Sequence, residues 1–293
     1  FLPMKLETYY SRLNDQIEFT REQASDFAKT IAGDFNPIHD PDAKRFCVPG
    51  DLLFAVMLKH FGISQRMTFT FSGMVDGGVS LSFDQHGEQN IDLIDDKNKK
   101  YISVKREGEL CDKDEVIEAL TKCYVKFSGK TFPHILVPLM KANNVMINPK
   151  RPLVIYENMF IDLVQCSTSA VALELDTENT KLETNGKRGT VTLAFALKDI
   201  DGKTVGNGEK HMVLSGLQPF QQSEMDALIE SGAFRVGTAP SSTAKSILIA
   251  FESSDDHNVH IFTATVAVGA EVTSVSSFHP SSGSTECEVI LEG

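Results

Sequence analysis

The chain is short of what several function classes require. Its 293 residues carry 28 Lys+Arg against 40 Asp+Glu, a formal net charge of −12. That deficit of positive charge argues against duplex nucleic acid or an anionic membrane as the main partner, because both call for dense Lys/Arg surfaces. The five cysteines (Cys47, Cys111, Cys123, Cys166 and Cys287) are odd in number, widely spaced and never in a CxxC. No disulfide framework or structural zinc site is expected from them, and a reducing compartment fits better. The opening FLPMKLETYY has no long apolar run behind a basic start, so no signal peptide is expected, and Met4 is expected to be the natural start. The most apolar helical stretch, residues 52–63, is interrupted by Lys59 and His60 and is too short to span a bilayer. These absences together lead to the expectation of a soluble cytoplasmic protein.

Several chemistries are missing too. No GxSxG occurs, which removes the serine hydrolase elbow. Gly206-Asn-Gly-Glu-Lys210 lacks the Walker spacing and sits in a strand pattern, so it reads as a kinked or bulged strand. His60, His86, His134, His211 and His279 show no metal-ligand spacing; the close pair His257/His260 is the sole exception, and no metal is expected.

What is present is enough for a sizeable core: 41% of residues are apolar and 23% charged. A short strand at 16–20 runs into a helix start, with Thr20 placed to cap, Glu22 and Gln23 in the first turn, and Ala24, Phe27, Ala28 and Ile31 as an apolar stripe. Gly33 stops that helix, and the two prolines of the next segment, residues 34–42, forbid its continuation. A strongly apolar helix is then expected over 51–65, with Leu52, Leu53, Phe54, Val56, Met57, Leu58 and Phe61 covering most of its circumference. A helix apolar nearly all round is a buried helix. Strands follow at 68–75, 79–85, 100–108 and 116–128, although 112–120 is also helix-compatible. One greasy helix followed by a run of antiparallel strands implies an α+β fold, a sheet wrapped round a central helix.

The second half repeats part of the plan. A short helix at 134–145 precedes strands at 153–164, 170–176, 189–198 and 204–214, with Asp201-Gly202 as a hairpin turn and a closing helix at 221–231. The expected organisation is a first unit at 1–132, a degenerate second unit at 133–237 and an acidic tail at 238–293. Residues 246–293 hold no Lys or Arg and carry seven acidic side chains, with strand-like pieces at 247–251 and 259–268.

The segment Phe27-Ala-Lys-Thr-Ile-Ala-Gly-Asp-Phe-Asn-Pro-Ile-His39, followed by Val48-Pro-Gly-Asp-Leu-Leu53, resembles the MaoC-like (R)-specific enoyl-CoA hydratase family. The resemblance covers about the first 130 residues well and the second half only in strand pattern. It implies a hotdog fold, here a double hotdog, and a hydro-lyase acting on 2-enoyl thioesters without a metal or redox cofactor. It also implies Asp34 and His39 as an acid/base pair, Asn36 as an orienting residue, and the Gly50 backbone amide polarising the thioester carbonyl. The chemistry is sensible in its own right. Hydration beside a thioester needs a base for water, a proton for the α-carbon and donors for the thioester oxygen. A carboxylate five residues before an imidazole, with Asn-Pro bending the chain between them, can aim both at one water. The first N–H groups of the central helix form a natural oxyanion site.

The sequence departs from the family at Ala32, where a small polar residue is usual, and at Pro49, which stands where His is frequent and donates no N–H. Asp51 either caps the helix or faces the substrate, where it would repel a developing enolate or, in a hotdog thioesterase, activate water. Lys44 and Arg45, or else the cluster Lys97, Lys99, Lys100, Lys105 and Arg106, are candidates to meet the phosphates of coenzyme A. The competing readings are a non-catalytic acyl-thioester-binding protein and a thioesterase. Coenzyme A and acyl carrier protein are both admissible carriers, and open sheet edges leave room for a homodimer.

Overall fold

The computed structural model describes residues 5–150, 153–230, 244–252, 259–267, 275–280 and 287–291. By internal packing the chain divides into a unit at Phe1–Gly237 and a unit at Thr238–Gly293.

The first unit is organised by two helix-then-strands passages. A hairpin of β1 (Ser11–Leu13) and β2 (Gln16–Glu18) leads to α1 (Arg21–Asp26), whose Thr20 cap is a full capping box with Gln23. The helix widens into a π-turn over Phe27–Ala32. Next come α2 (Gly50–Phe61), β3 (Ile63–Phe71), β4 (Leu81–His86), β5 (Asn90–Asp95) and β6 (Lys100–Cys111). The second passage has α3 (Asp114–Gly129), a π-turn at Phe132–Leu136, α4 (Val137–Ala142) and the short strand β7 (Val145–Met146). It continues through β8 (Val154–Leu163), β9 (Ala172–Asn185), β10 (Arg188–Lys198) and β11 (Thr204–Ser215), then β12 (Gln218–Pro219) and α5 (Gln222–Glu230).

Ten strands make one sheet in the order β1-β2-β4-β5-β6-β3-β8-β11-β10-β9. Every pairing in it is antiparallel. In each passage the first strand lies innermost and the second lies furthest out: β4-β5-β6-β3 on one side mirrors β8-β11-β10-β9 on the other. The mirror line is the β3/β8 pair, with Met67 opposite Ile161 and Phe69 opposite Met159. A short β7/β12 ladder joins Val145–Met146 to Gln218–Pro219. The fold is α+β and of hotdog type, a long antiparallel sheet closed over a central helix.

The all-round greasiness of α2 is explained by what covers it. Leu52 through Leu58 are all buried. Phe54 meets Phe69 of β3 edge-on at 4.9 Å between centroids and Tyr124 of α3 at 4.6 Å, so sheet and helix sandwich it from opposite sides. A second apolar cluster joins Phe132, Leu136 and Met140 to Val191, Leu193, Met212 and Leu214 of the far strands.

Several sequence expectations need correction. Residues 116–128 form helix, not strand. Val116, Ile117, Leu120, Cys123 and Tyr124 are buried at helical spacing, and Asp114 and Glu115 favour the N-terminal dipole. Helix α2 ends at Phe61 rather than at 65, because the chain turns at Gly62 directly into β3. Strand β5 was not expected at all, since Asp92 and Asp95 interrupt its apolar alternation.

In the unit at Thr238–Gly293, β13 (Ala244–Glu252) pairs with β14 (Val259–Ala267), and β15 (Val275–Pro280) pairs with β16 (Cys287–Leu291), both antiparallel.

Candidate functional site

The polar loop after Gly33 is built by its own side chains. Gly33 ends the π-turn at φ +71°, a left-handed conformation that glycine adopts without cost, and this turns Asp34 back toward the body of the molecule. Asp34 N donates to the Ala28 carbonyl at 2.8 Å. Asp34 Oδ1 then accepts Asn36 N at 2.9 Å, and Asn36 Oδ1 accepts Ile38 N at 3.2 Å, two successive Asx turns that set the bend. Pro37–His39 completes a 3-10 turn.

The bend brings the acidic and imidazole side chains together. His39 Nε2 stands 3.4 Å from Asp34 Oδ2, while Nδ1 lies 2.6 Å from the Cys47 carbonyl oxygen. A carbonyl only accepts, so Nδ1 carries a proton and Nε2 is the atom that faces Asp34. The Cys47 carbonyl is itself fixed, because Cys47 N donates to Ile38 O at 2.9 Å. Arg21 steadies the outer part of the loop. It gives Nη1 to the carbonyls of Pro41 and Ala43 at 3.1 Å, pairs with Asp76, and lies over the Phe46 ring.

The electrostatics of the pair are reciprocal. Burial alone would raise the Asp34 carboxyl, but the hydrogen bond and charge of His39 and the Asn36 N–H outweigh it and leave Asp34 below the ordinary carboxylate range. Burial alone would lower His39, but Asp34 and the Cys47 carbonyl prevail and hold it above the ordinary imidazole value. The pair therefore favours carboxylate and imidazolium. The Cys47 thiol, pushed up to about 12 by burial, is protonated and unreactive beside them.

Asp34 and His39 open onto a cavity of about 490 Å³. Its polar end holds Asn36, Gly50 and Asp51; its apolar walls include Leu53, Phe71, Phe132, Leu136, Tyr156 and Met212. The polar loop thus comes from the first passage, while the walls come from both, Leu53 and Phe71 from the first and Phe132, Leu136, Tyr156 and Met212 from the second. Leu52 N and Leu53 N both donate to the Pro49 carbonyl. The Gly50 and Asp51 N–H groups, earlier in the first turn of α2, have no hydrogen-bond acceptor among the described residues.

The other expected residues are distributed unevenly. Arg45 lines the cavity, whereas Lys44 is exposed and is not part of the lining. The alternative basic cluster is engaged elsewhere: Lys100 with Asp92, Lys105 with Glu107, and Arg106 with the carbonyls of Glu88 and Phe61. Asp51 does not cap α2; it is buried, and its Oδ1 accepts Ser128 Oγ at 2.9 Å. Among the described residues no group of three His, Cys, Asp or Glu side chains gathers as a metal site, and no helix is long and apolar enough to cross a membrane. His257 of the close histidine pair lies outside the described residues.

Sequence reasoning missed Ser128 and Lys210. Lys210 Nζ donates to Ser128 Oγ and stands 4.0 Å from Asp51 Oδ1. A signal existed, because period-two alternation along β11 puts Lys210 on the same buried face as Gly208, Met212 and Leu214. The kinked-strand reading of 206–210 had the right element, yet it overlooked a lysine at an inward position. Ser128 was hidden by the mistaken strand at 116–128.

The C-terminal end of α3 is brought against this loop by Gly129. A Cβ there would fall 1.9 Å from the Ala32 carbonyl oxygen, so only glycine permits the approach.

A family profile matches residues 4–223, a span that includes β1 through β12 and ends in α5. The chain belongs to the family described as protein of unknown function, DUF3581. No curated protein matches the chain in sequence. Among solved structures it is similar to an acyl-CoA thioesterase II from Mycobacterium marinum (8% identity, 74% of this chain and 100% of that chain, TM-score 0.42). It is also similar to a MaoC-like dehydratase (10% identity, 72% and 99%, TM-score 0.35). A third likeness is to the full-length peroxisomal multifunctional enzyme type 2 from Drosophila melanogaster (10% identity, 68% and 48%, TM-score 0.39).

Proposed function

We propose that this member of DUF3581 is a hydro-lyase that adds water reversibly across the double bond of a 2-enoyl thioester. The observation that carries the reading is the placement of Asp34 and His39, 3.4 Å apart at the polar end of a largely apolar cavity that also receives the first turn of α2. The acyl chain lies along the walls contributed by the second half, and the thioester oxygen points to the Gly50 and Asp51 N–H groups. Arg45 at the cavity meets the anionic carrier, coenzyme A or acyl carrier protein.

The protonation preferences of the pair assign the roles. Asp34, held as carboxylate, removes a proton from water as the oxygen bonds to the β-carbon. Electron density moves to the thioester oxygen, where the helix amides accept it. His39, held as imidazolium, gives its Nε2 proton to the α-carbon and restores the thioester. The proton on Asp34 then crosses to Nε2, and the site is reset. Hydration neither oxidises nor reduces the substrate, so no redox cofactor enters the balance.

A hydrolytic reading would require Asp51 to be free to activate water. Its Oδ1 already accepts Ser128 Oγ, so only Oδ2 could take that part. Incubation with crotonyl-CoA separates the readings. Loss of the enoyl absorbance without release of thiol is the expected result. Free thiol would replace hydration by thioesterase activity, and no change in either signal would leave a binding protein.

A further inference from the structure

Behind the catalytic pair lies a second polar group that the hydration steps leave unused. Asp51, Ser128 and Lys210 come from α2, α3 and β11, and all three are buried. Ser128 Oγ bridges them, donating to Asp51 and accepting from Lys210. The Lys210 ammonium also sits 3.6 Å from the centroid of the Tyr156 ring and 5.7 Å from that of Tyr124. Enclosing a cation among rings and apolar strands is costly, and a hydrophobic residue in its place would often do as well for stability. The position of Asp51 supplies a reason for keeping it.

Asp51 is the second residue of α2, so its carboxylate is carried on the same turn whose N–H groups the proposal assigns to the thioester oxygen. An uncompensated carboxylate there opposes any negative charge developing on that oxygen, and low dielectric strengthens the opposition. The groups that face Asp51 are Ser128 and Tyr124 from α3, Tyr156 from β8, Lys210 from β11, and Asp34 and His39 from the loop. His39 is already matched to Asp34, and Lys210 is the remaining cation.

We infer that Lys210 is a positioning residue for oxyanion formation: acting through Ser128, it turns Asp51 away from the amide-lined site and cancels its charge, so that the first turn of α2 can hold an enolate. The inference rests on the acyl-thioester reading above. It also explains how an acidic residue can occupy the start of the central helix without disabling it.

The test uses acetoacetyl-CoA, whose bound enolate absorbs in the near ultraviolet and forms without turnover, together with kcat for crotonyl-CoA hydration. Three variants of the full chain are compared with the wild type: K210M, D51N and K210M/D51N. K210M should weaken the enolate band and kcat by about tenfold or more, as loss of an oxyanion partner does. D51N should strengthen the enolate band, because the Lys210 cation then stands unopposed, and an unchanged or weaker band would overturn the inference; the double variant should recover most of what K210M loses. A buried ion pair with a purely structural role predicts that D51N and K210M both weaken the band, and that result would overturn the inference. If K210M fails to fold, D51N alone decides by the same sign. If the wild type hydrates crotonyl-CoA but shows no enolate band, the ordering of kcat decides. A wild type that neither hydrates crotonyl-CoA nor forms an enolate removes the hydratase reading, and the inference falls with it.

Discussion

The two halves of the ten-stranded sheet repeat one plan and divide the work. Each supplies a helical passage followed by four strands in mirrored order about the β3/β8 pair. The first half adds the Asp34–His39 loop and the first turn of α2, which lines the cavity. Among the described residues the second half has no such loop, and it contributes Phe132, Leu136, Tyr156 and Met212 as walls, with Lys210 buried nearby. On the proposed reading, one half of the repeated plan carries the chemistry and the other serves as its container. The same contrast recurs between two carboxylates of one cavity. Asp34, beside His39, is pushed toward ionisation, while Asp51 is pushed upward by burial, with Lys210 and Ser128 opposing that shift in favour of its carboxylate.

The division is sharpest at Asp34 and His39, the pair to which the proposal assigns the chemistry. D34N and H39A should each reduce turnover by about a thousandfold while leaving far-ultraviolet circular dichroism unchanged, since proton transfer and not packing is removed. Retention of hydration by both variants would break the assignment of chemistry to the first half.

The junction between the halves comes next. G129A would drive a methyl group into the Ala32 carbonyl, and it should cost about 3 kcal/mol in denaturant unfolding. A neutral substitution would show that α3 is not wedged against the loop.

The wall is open to a subtler test. M212W should raise KM for a long-chain enoyl thioester by about tenfold and leave crotonyl-CoA nearly unaffected, because only the longer chain needs that volume. Equal effects on both substrates would place the acyl chain elsewhere.

The smallest effect is a pH dependence of stability. Asp34 is depressed in the folded state, so its contribution is present above the ordinary carboxylate value and is lost as pH falls through the folded one. His39 is raised, so its contribution is full below the ordinary imidazole value and is lost as pH rises through the folded one. The melting temperature of wild type minus that of a D34N/H39A double variant should therefore be greatest between about pH 4 and 6.5 and decline on both sides. A flat difference would mean that the two side chains do not form an ion pair.

How much of this could be read from the sequence depends on the range of the interactions involved. The loop was legible because Gly33, Asp34, Asn36 and Pro37 bend it through contacts at most a few residues apart. The buried helix was legible because Leu52, Leu53, Phe54, Val56, Met57 and Leu58 leave it no polar face. The α3 helix was read as a strand because Val116, Ile117, Thr121, Tyr124 and Val125 favour strands locally, and only packing against α2 overrides them. Strand β5 was missed because Asp92 looks like a turn residue, yet it is buried and paired with Lys100 from the neighbouring strand. The Asp51–Ser128–Lys210 group joins residues 77 and 82 positions apart, a proximity created by the fold and carried by no local pattern.

The most direct test of the account is the fate of a 2-enoyl thioester incubated with the protein in heavy water and analysed by mass spectrometry and proton NMR. The account predicts a 3-hydroxyacyl thioester bearing one deuterium at the α-carbon, with the thioester bond intact, from the wild type and not from H39A. Recovery of unlabelled enoyl substrate, or of free acid and thiol without hydroxyacyl product, would contradict it.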